Sequence, residues 1–287
     1  MKGGVNLNRN EIFAFIGLMI LLVATIFITY QTQPEQIEPP QDNHEQNDND
    51  DSNDNSNGND NGNNNDNDDG PDPYWGVDSA SNADEKLYQC VTDNFGTPKV
   101  WGRYLGGIEG VSAGLDEDEV DFLHDSDSHI LVIYNHFNDA TGYDHGAEEA
   151  EKAIKLAQDL EIPKGVGIFG DIEPKYDVDA DFINGWFDTL DDSDYAPGIY
   201  GVFNEDGAVL AAFSDADNDA QANTILWTAY PQEEITSKDD APDYNPQGPD
   251  NSKLFGWQYG TDAEQCNIDT NLFTEDMLDY LWQPNDS

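Results

Sequence analysis

The stretch GIFGDIEP at residues 167–174 decides how the rest of the chain is interpreted. It has the composition of a buried β-strand that ends in two acids. Because side chains alternate along a strand, Asp171 and Glu173 point to one side and Ile172 to the other. Two carboxyl groups in this arrangement suit glycoside hydrolysis, in which one donates a proton and the other stays charged. The same pattern also occurs where acids cap the next helix or face water, so the remaining sequence has to decide.

Short apolar runs alternate with helical patterns on both sides of this stretch. Strands are predicted at residues 75–78, 99–105, 130–137, 167–173, 198–203, 225–230, 254–259 and 266–269, and helices at 83–94, 115–124, 146–160, 180–190 and 274–281. Asp177 or Asp179 can cap the fourth helix. Eight such units in about 215 residues predict an α/β fold, a (β/α)8 TIM-like barrel of parallel strands. A doubly wound open sheet is the alternative, which the lack of a glycine-rich loop after the first strand disfavours.

The first 72 residues predict an anchor and a tether. Residues 12–30 are apolar apart from two Thr and a terminal Tyr, and their helical length of roughly 28 Å matches a bilayer core. No small-residue cleavage site follows, which favours an uncleaved transmembrane helix over a signal peptide. Lys2 and Arg9 place the N-terminus of the 1–30 segment in the cytoplasm. Residues 31–72 predict a disordered Asn/Asp-rich linker, and residues 73–287 an extracellular domain, secreted if the N-terminal segment is cleaved.

The charge balance and the histidines exclude several kinds of partner. The chain has 60 acidic and 11 basic residues, a net charge of −49, which repels nucleic acid. Four histidines show no H-E-x-x-H or H-x-x-E-H spacing: His124, His129, His136 and His145. The acidic run at residues 215–219 lacks the glycine and the closing glutamate of a calcium loop. We therefore predict neither a metal nor a cofactor.

The acids of three predicted strands meet at one place if the barrel closes. Catalytic groups of (β/α)8 barrels lie at the C-terminal ends of strands. Asp78 ends the first predicted strand, Asp171 and Glu173 end the fourth, and Asp269 ends the eighth. Candidate sugar-binding residues near other strand ends are Tyr134, Tyr200, Trp227, Tyr230, Trp257, Gln258 and Tyr259. Core packing is the alternative for the aromatic residues among them.

One basic residue also ends a predicted strand. Arg103 closes the second apolar run. It either binds a carboxylate of the ligand or neutralises the acid cluster, and the sequence leaves both interpretations open.

Six motifs, one per strand, carry a resemblance to a known family. They are GVDSA (76–80), DIE (171–173), GIYGVF (198–203), LWTAY (226–230), GWQYG (256–260) and NIDTNLF (267–273). In this order they resemble the family 25 glycoside hydrolases, the Chalaropsis-type lysozymes or N-acetylmuramidases, over nearly all of residues 74–282. The resemblance implies a (β/α)8-like barrel that cleaves peptidoglycan between N-acetylmuramic acid and N-acetylglucosamine.

The resemblance also assigns roles to the acids. It implies that Glu173 is the general acid, that Asp171 assists at the anomeric centre, and that Asp78 and Asp269 line the same site. Two features depart from the family: GRYL at residues 102–105 replaces an acidic motif, and Asn135–His136 is unusual on the third strand. These features are similar to a less characterised glycoside-hydrolase-like branch of the same barrel.

We predict from this site that Glu173 donates the proton and that Asp171 stays ionised. Like charges on Asp78, Asp171 and Asp269 hold a proton on the neighbouring Glu173 to higher pH. Asp171 either attacks the sugar or orients the acetamido group of the substrate, and we favour the second because both acids lie on one strand.

Three hypotheses follow for the function. The first is a membrane-tethered extracellular glycosidase, muramidase-like, acting on peptidoglycan or a related glycan. The second is a barrel that binds glycan but is catalytically weak or inactive. The third is an amidase or peptidase acting on wall peptides, for which the chain offers neither a nucleophile nor a metal set.

The two cysteines of the chain predict a disulfide. Cys90 and Cys266 lie beyond the anchor, in an oxidising environment. The first helix runs antiparallel to the strands and carries Cys90 toward the bottom of the barrel, and Cys266 opens the eighth predicted strand at the same end. Two unpaired buried thiols are the alternative.

Overall fold

The structure, a computed structural model, describes residues 72–284. The predicted membrane anchor at residues 12–30 and nearly all of the predicted linker at 31–72 lie outside the described residues. Among the helices that are described, none combines the length and the apolar character needed to cross a membrane.

The described residues contain eight strands and seven α-helices in alternating order for most of the chain. The strands are β1 (Tyr74–Asp78), β2 (Val100–Tyr104), β3 (His129–Tyr134), β4 (Gly167–Asp171), β5 (Ala196–Gly201), β6 (Ile225–Thr228), β7 (Lys253–Gly260) and β8 (Asp269–Phe273). The helices are α1 (Glu85–Asn94), α2 (Glu117–Asp125), α3 (Tyr143–Asp159), α4 (Ala180–Asp191), α5 (Ala208–Asp215), α6 (Asn218–Asn223) and α7 (Glu275–Leu278). A 3-10 helix spans Lys238–Asp240 between β6 and β7.

The eight strands close into a barrel in sequence order, as the sequence predicts. Strands β1 to β7 are parallel to one another, whereas β8 is antiparallel to both β7 and β1. The prediction of eight parallel strands is therefore wrong for the last one. No helix separates β7 from β8, and a connection of eight residues, 261–268, is too short for the crossover that a parallel strand requires.

Side chains alternate between two apolar regions, one inside the barrel and one between the strands and the helices. The inner region contains Val100, Leu131, Ile133, Phe169, Ile225, Trp227 and Phe273. Residues one position away on the same strands, such as Trp101, Val132 and Ile168, belong to the outer region under the helices. Met277 of α7 and Leu281 join the inner region and cover the barrel end at which β8 finishes. The opposite end, where β1 to β7 finish, is left for the site.

Three helices begin at aspartates, and one of these caps was predicted from the sequence. The carboxylates of Asp84, Asp116 and Asp179 each accept a hydrogen bond from a backbone N–H of the first turn of α1, α2 and α4. Asp179, rather than Asp177, is the cap of α4. An N-cap of this kind typically contributes about 1 kcal/mol to helix stability.

The predicted disulfide between Cys90 and Cys266 is present, with a Cα–Cα distance of 5.7 Å. The reason given for it is wrong in one respect. Because β8 runs antiparallel, Cys266 lies in the loop that connects β7 to β8 at the open end of the barrel, not at the bottom. The bond therefore ties this loop to α1.

Candidate active site

Four carboxyl groups gather at the open end of the barrel. Asp78 ends β1 and is the direct register partner of Asp269 on β8. Asp171 ends β4, and Glu173 follows it by two residues. The charges of Asp78 and Glu173 both act on the carboxyl groups of Asp171 and Asp269. The four acids therefore form one electrostatic cluster.

Asp269 reaches the cluster for a reason opposite to the predicted one. The sequence placed it at the end of a parallel strand, 266–269. It is in fact the first residue of β8, and β8 is antiparallel, so its first residue lies beside the last residues of the other strands. The shift of the strand by three residues and its reversal have cancelled each other.

Asp78 and Asp269 are held together by side-chain amides. Gln258 Nε2 donates to Asp78 Oδ2 at 3.0 Å and to Asp269 Oδ2 at 3.2 Å. Asn271 Nδ2 also donates to Asp78 Oδ2, at 2.7 Å. The Tyr200 hydroxyl donates to Gln258 Oε1 at 2.6 Å, which orients the amide with its nitrogen toward the two acids. Burial raises the pKa of Asp78, and the bonds from Asn271 and Gln258 act against that rise.

Aromatic side chains support this network from inside the barrel. Trp227 Nε1 donates to Asn271 Oδ1 at 2.9 Å, which fixes the amide of Asn271 with its nitrogen on Asp78. The rings of Tyr200 and Trp227 lie 4.4 Å apart. Gly102 on β2 faces Asp78 so closely that a Cβ there would lie 2.6 Å from the Asp78 Cβ. Position 102 therefore has to be glycine for Asp78 to keep its place.

Asp171 is the most isolated carboxyl of the cluster. Its side chain is 5% exposed, and its Oδ1 is buried without a hydrogen-bond partner. Burial, together with the charges of Glu173 and Asp78, raises the pKa of Asp171 to about 8. Both effects favour the protonated form of Asp171, whereas the predicted role of this residue requires its ionised form. Asp269 behaves alike, since burial and the charge of Asp78 raise its pKa to about 8.

A cavity of about 570 Å³ opens beside Asp171 and Glu173. Its other polar lining comes from Tyr104, Ser112, Asn135, His136, Asn138, Lys175 and Tyr176, and its apolar lining from Ala80, Ile108, Val111 and Phe137. Glu173 is half-buried there. Asp78 and Asp269 are not among the lining residues. Of the four acids, Asp171 and Glu173 are thus the two that a ligand in this cavity would contact.

Tyr104 and Asn271 are among the site residues that the sequence reasoning missed. Tyr104 lines the cavity, and burial together with the charges of Asp78 and Asp171 raises the pKa of its hydroxyl. Asn271 bonds to Asp78 as described above. The alternation of side chains along a strand could have identified both residues. Tyr104 is two residues beyond Gly102, the register partner of Asp78. Asn271 is two residues beyond Asp269 on β8.

Arg103 is not a ligand-binding residue in this structure. Its side chain is completely buried, and Nε donates to Glu119 Oε1 of α2 at 2.6 Å. The guanidinium also donates to the carbonyl oxygens of Ser79 and Ala113. Arg103 points outward because Gly102 and Tyr104, its neighbours on β2, point inward. Its ion pair therefore joins β2 to α2. The charge of Arg103 also lowers the pKa of Asp78, which agrees in part with the interpretation that it neutralises the acid cluster.

Strand alternation also removes three predicted sugar-binding aromatics from the cleft. Tyr134 is buried between the strands and the helices, and its hydroxyl donates to Glu149 on α3 at 2.7 Å. Trp257 and Tyr259 flank Gln258 on β7 and belong to the same outer region. Trp257 Nε1 donates to the Pro231 carbonyl. Packing, the alternative considered for these aromatics, is their role.

The remaining predicted binding residues lie on the inner face or at its rim. Tyr200, Trp227 and Gln258 point into the barrel, where they support the acids rather than line the cavity. Tyr230 is half-buried just beyond β6 and is not among the cavity residues. Within residues 72–284, no group of three or more His, Cys, Asp or Glu side chains is arranged to hold a metal ion.

The family of the chain is shown by a match over residues 98–273, more than half of its length. The matching family is described as "Rv2525c-like, glycoside hydrolase-like domain". The chain belongs to this family. Among curated proteins, none matches the chain.

Two solved structures are similar to this Rv2525c-like chain. An uncharacterized B. stearothermophilus protein is 39% identical, with 73% of this chain and 100% of that one covered and a TM-score of 0.71. The Tat-secreted Rv2525c of Mycobacterium tuberculosis, in complex with L-tartrate, is 13% identical over 73% of this chain and 98% of that one, with a TM-score of 0.51. At this identity the second likeness concerns the fold alone.

A family 25 glycosyl hydrolase from Bacillus anthracis is more distant. It is 16% identical, covers 74% of this chain and 94% of that one, and has a TM-score of 0.43, too low to carry an argument. The match to the Rv2525c-like family agrees with the interpretation of residues 102–105 and Asn135–His136 as features of a glycoside-hydrolase-like branch. In this branch member, Arg103 serves packing and Asn135 lines the cavity.

Proposed function

We propose that the barrel is the extracellular domain of a membrane-tethered glycosidase, muramidase-like, that hydrolyses peptidoglycan or a related glycan. The observation that carries the proposal is the pair Asp171–Glu173 on the wall of a 570 Å³ cavity, supported from inside the barrel by two further acids. The cavity has the dimensions of a small-molecule site. The anchor at residues 12–30 and the linker at residues 31–72 complete the proposal from the sequence.

Glu173 is the proposed general acid. It is the half-buried member of the pair, so its carboxyl can reach the oxygen of a glycosidic bond in the cavity. In the proposed reaction this carboxyl transfers its proton to the leaving oxygen while the bond to the anomeric carbon breaks. Removing a positioned general acid typically costs about 10²–10⁴-fold in rate.

Asp171 is the proposed partner of the acetamido group of the substrate. The acetamido oxygen attacks the anomeric carbon, and Asp171 accepts the acetamido N–H as positive charge develops on that group. Burial raises the pKa of Asp171 to about 8, so in this role the carboxyl releases its proton to solvent when the glycan binds. Oδ1 of Asp171 and Oδ1 of Asn135 are buried oxygen atoms of the cavity lining that have no hydrogen-bond partner.

A second candidate function is glycan binding without turnover. The observation in its favour is that no further acid of residues 72–284 lines the cavity opposite the pair. A direct attack by an enzyme carboxylate needs two carboxyl groups on opposite sides of the bond. A chain that cannot use the acetamido route would then only bind its glycan.

The test measures reducing sugar released from purified peptidoglycan by the full-length protein. Glu173→Gln is expected to lower the rate by at least about 10²-fold while glycan binding persists, because Gln keeps the size and polarity of the residue. Glu151→Gln, on the exposed face of α3, is the matched control and is expected to keep the wild-type rate. Release at the wild-type rate by Glu173→Gln would end its assignment as the acid. Binding without release by the wild-type protein would leave the second candidate.

A further inference from the structure

The cavity beside Asp171 and Glu173 contains one cation, Lys175. Among residues 72–284, no other Lys or Arg lines this cavity. The chain carries 60 acidic residues against 11 basic ones, so its negative charge repels an anionic ligand that approaches the cavity. The ammonium group of Lys175 is the feature that can offset this repulsion.

Lys175 forms no ion pair with a carboxylate of residues 72–284. Five other basic residues of the described chain form ion pairs with carboxylates within 4.0 Å: Lys99, Arg103, Lys152, Lys155 and Lys164. No carboxylate of residues 72–284 lies within that distance of Lys175. Its Nζ instead lies 5.3 Å from the ring centroid of Tyr176, another cavity residue. The ring holds the side chain without neutralising its charge.

The charge of Lys175 reaches the reacting position. It lowers the pKa of Asp171, against the larger effects of burial and of Glu173. An ammonium group attracts a carboxylate more strongly where solvent is excluded than in water. A carboxylate bound near Lys175 would thus lie close to the sugar that Asp171 contacts.

We propose that Lys175 is a specificity-determining residue that selects an acidic sugar, one whose N-acetylated ring carries a carboxylate on a substituent. The inference rests on the proposed function, since it places the substituted ring over Asp171. Ile108 and Val111, on the loop between β2 and α2, give the same cavity an apolar wall suited to the methyl groups of the substituent. A neutral glycan of the same size lacks the group that Lys175 recognises.

The test compares three disaccharides by calorimetry on full-length Glu173→Gln, in which none is consumed. They are N-acetylglucosaminyl-N-acetylmuramic acid, the same compound with its carboxylate converted to a carboxamide, and N,N′-diacetylchitobiose. We expect the acid to bind about 10-fold more tightly than either neutral sugar at low salt. Adding Lys175→Gln should reduce this preference to about 1-fold, and Lys175→Arg should keep most of it. Lys155→Gln, on the surface of α3, is the matched control and should leave the preference unchanged.

The outcomes separate the inference from the proposed function. If the acid and its carboxamide bind equally well, or if Lys175→Gln weakens all three sugars alike, Lys175 does not select for charge, while the glycan cleft stands. If no disaccharide binds to either protein, both the proposed function and the inference are wrong. A preference that disappears in 1 M salt as well as in Lys175→Gln supports the inference.

Discussion

Asp171→Asn is expected to stabilise the protein, and to do so increasingly as the pH rises. Burial and the neighbouring acids raise the pKa of Asp171 from its ordinary value of 3.8 to about 8. Between these values the folded protein holds a proton on Asp171 that the unfolded chain has released. Stability therefore falls as the pH rises through this window. Asn carries no charge at any of these pH values, so the variant escapes the loss.

The expected magnitude follows from the shift. One pKa unit corresponds to 1.36 kcal/mol, so the cost of Asp171 to wild-type stability is about 2 kcal/mol at pH 5 and about 6 kcal/mol at pH 9. Wild type should lose about 4 kcal/mol relative to Asp171→Asn over this range. This is an upper figure, because water that enters around an ionised Asp171 lowers the cost of its charge.

The measurement is urea-induced unfolding at pH 5, 7 and 9 for wild type, Asp171→Asn and Asp121→Asn. Asp121 lies on the exposed side of α2, so its replacement removes the same formal charge from the surface. Its stability curve should run parallel to that of wild type. The reasoning is refuted if the difference between Asp171→Asn and wild type is the same at pH 5 and pH 9, since burial would then not control the protonation of Asp171.

Two further predictions concern the framework of the barrel. Arg103→Met should destabilise the protein by about 3–5 kcal/mol, because Glu119 is left as an unpaired buried charge. Adding Glu119→Gln should recover part of this loss of unfolding free energy, measured in urea. If nothing is recovered, the ion-pair explanation is contradicted. The Cys90→Ala, Cys266→Ala double variant should lose about 5 kcal/mol, the chain-entropy value for the 176-residue separation that the bond closes; a loss below about 1 kcal/mol in the same assay would mean that the native loop or residual structure in the unfolded chain offsets the constraint.

The course of the chain through the barrel could be predicted because local pattern determines it. Alternating strand and helix patterns predicted the first seven strands close to their observed positions. They also predicted that the barrel closes in sequence order. The last strand was displaced and its direction was wrong. Direction is not encoded in an apolar pattern, which is the same when a strand is reversed, and only the length of the preceding connection carries that information.

Some site residues were predicted correctly and others were not. The difference depends on whether each side chain points into the barrel or toward the helices. Acids at strand ends were correctly expected to gather, since the ends of neighbouring strands are adjacent in any closed barrel. Arg103, Tyr134 and Trp257 were wrongly expected there, because proximity to a strand end does not say which face a side chain occupies. A one-residue change of register moves a side chain from the interior to the helix-covered face.

The protonation of the acids is decided by the tertiary structure alone. Asp171 and Glu173 are two residues apart, and the sequence cannot tell which of them is buried more deeply. The barrel encloses Asp171 at 5% exposure and leaves Glu173 half-buried, and the desolvation of the former is the largest cause of its raised pKa. The sequence by itself thus determined which strands form, in which order they close and which acids meet. The tertiary structure decided the direction of β8, the face that each side chain occupies and the carboxyl that keeps its proton, because each of these depends on contacts between residues distant in the chain.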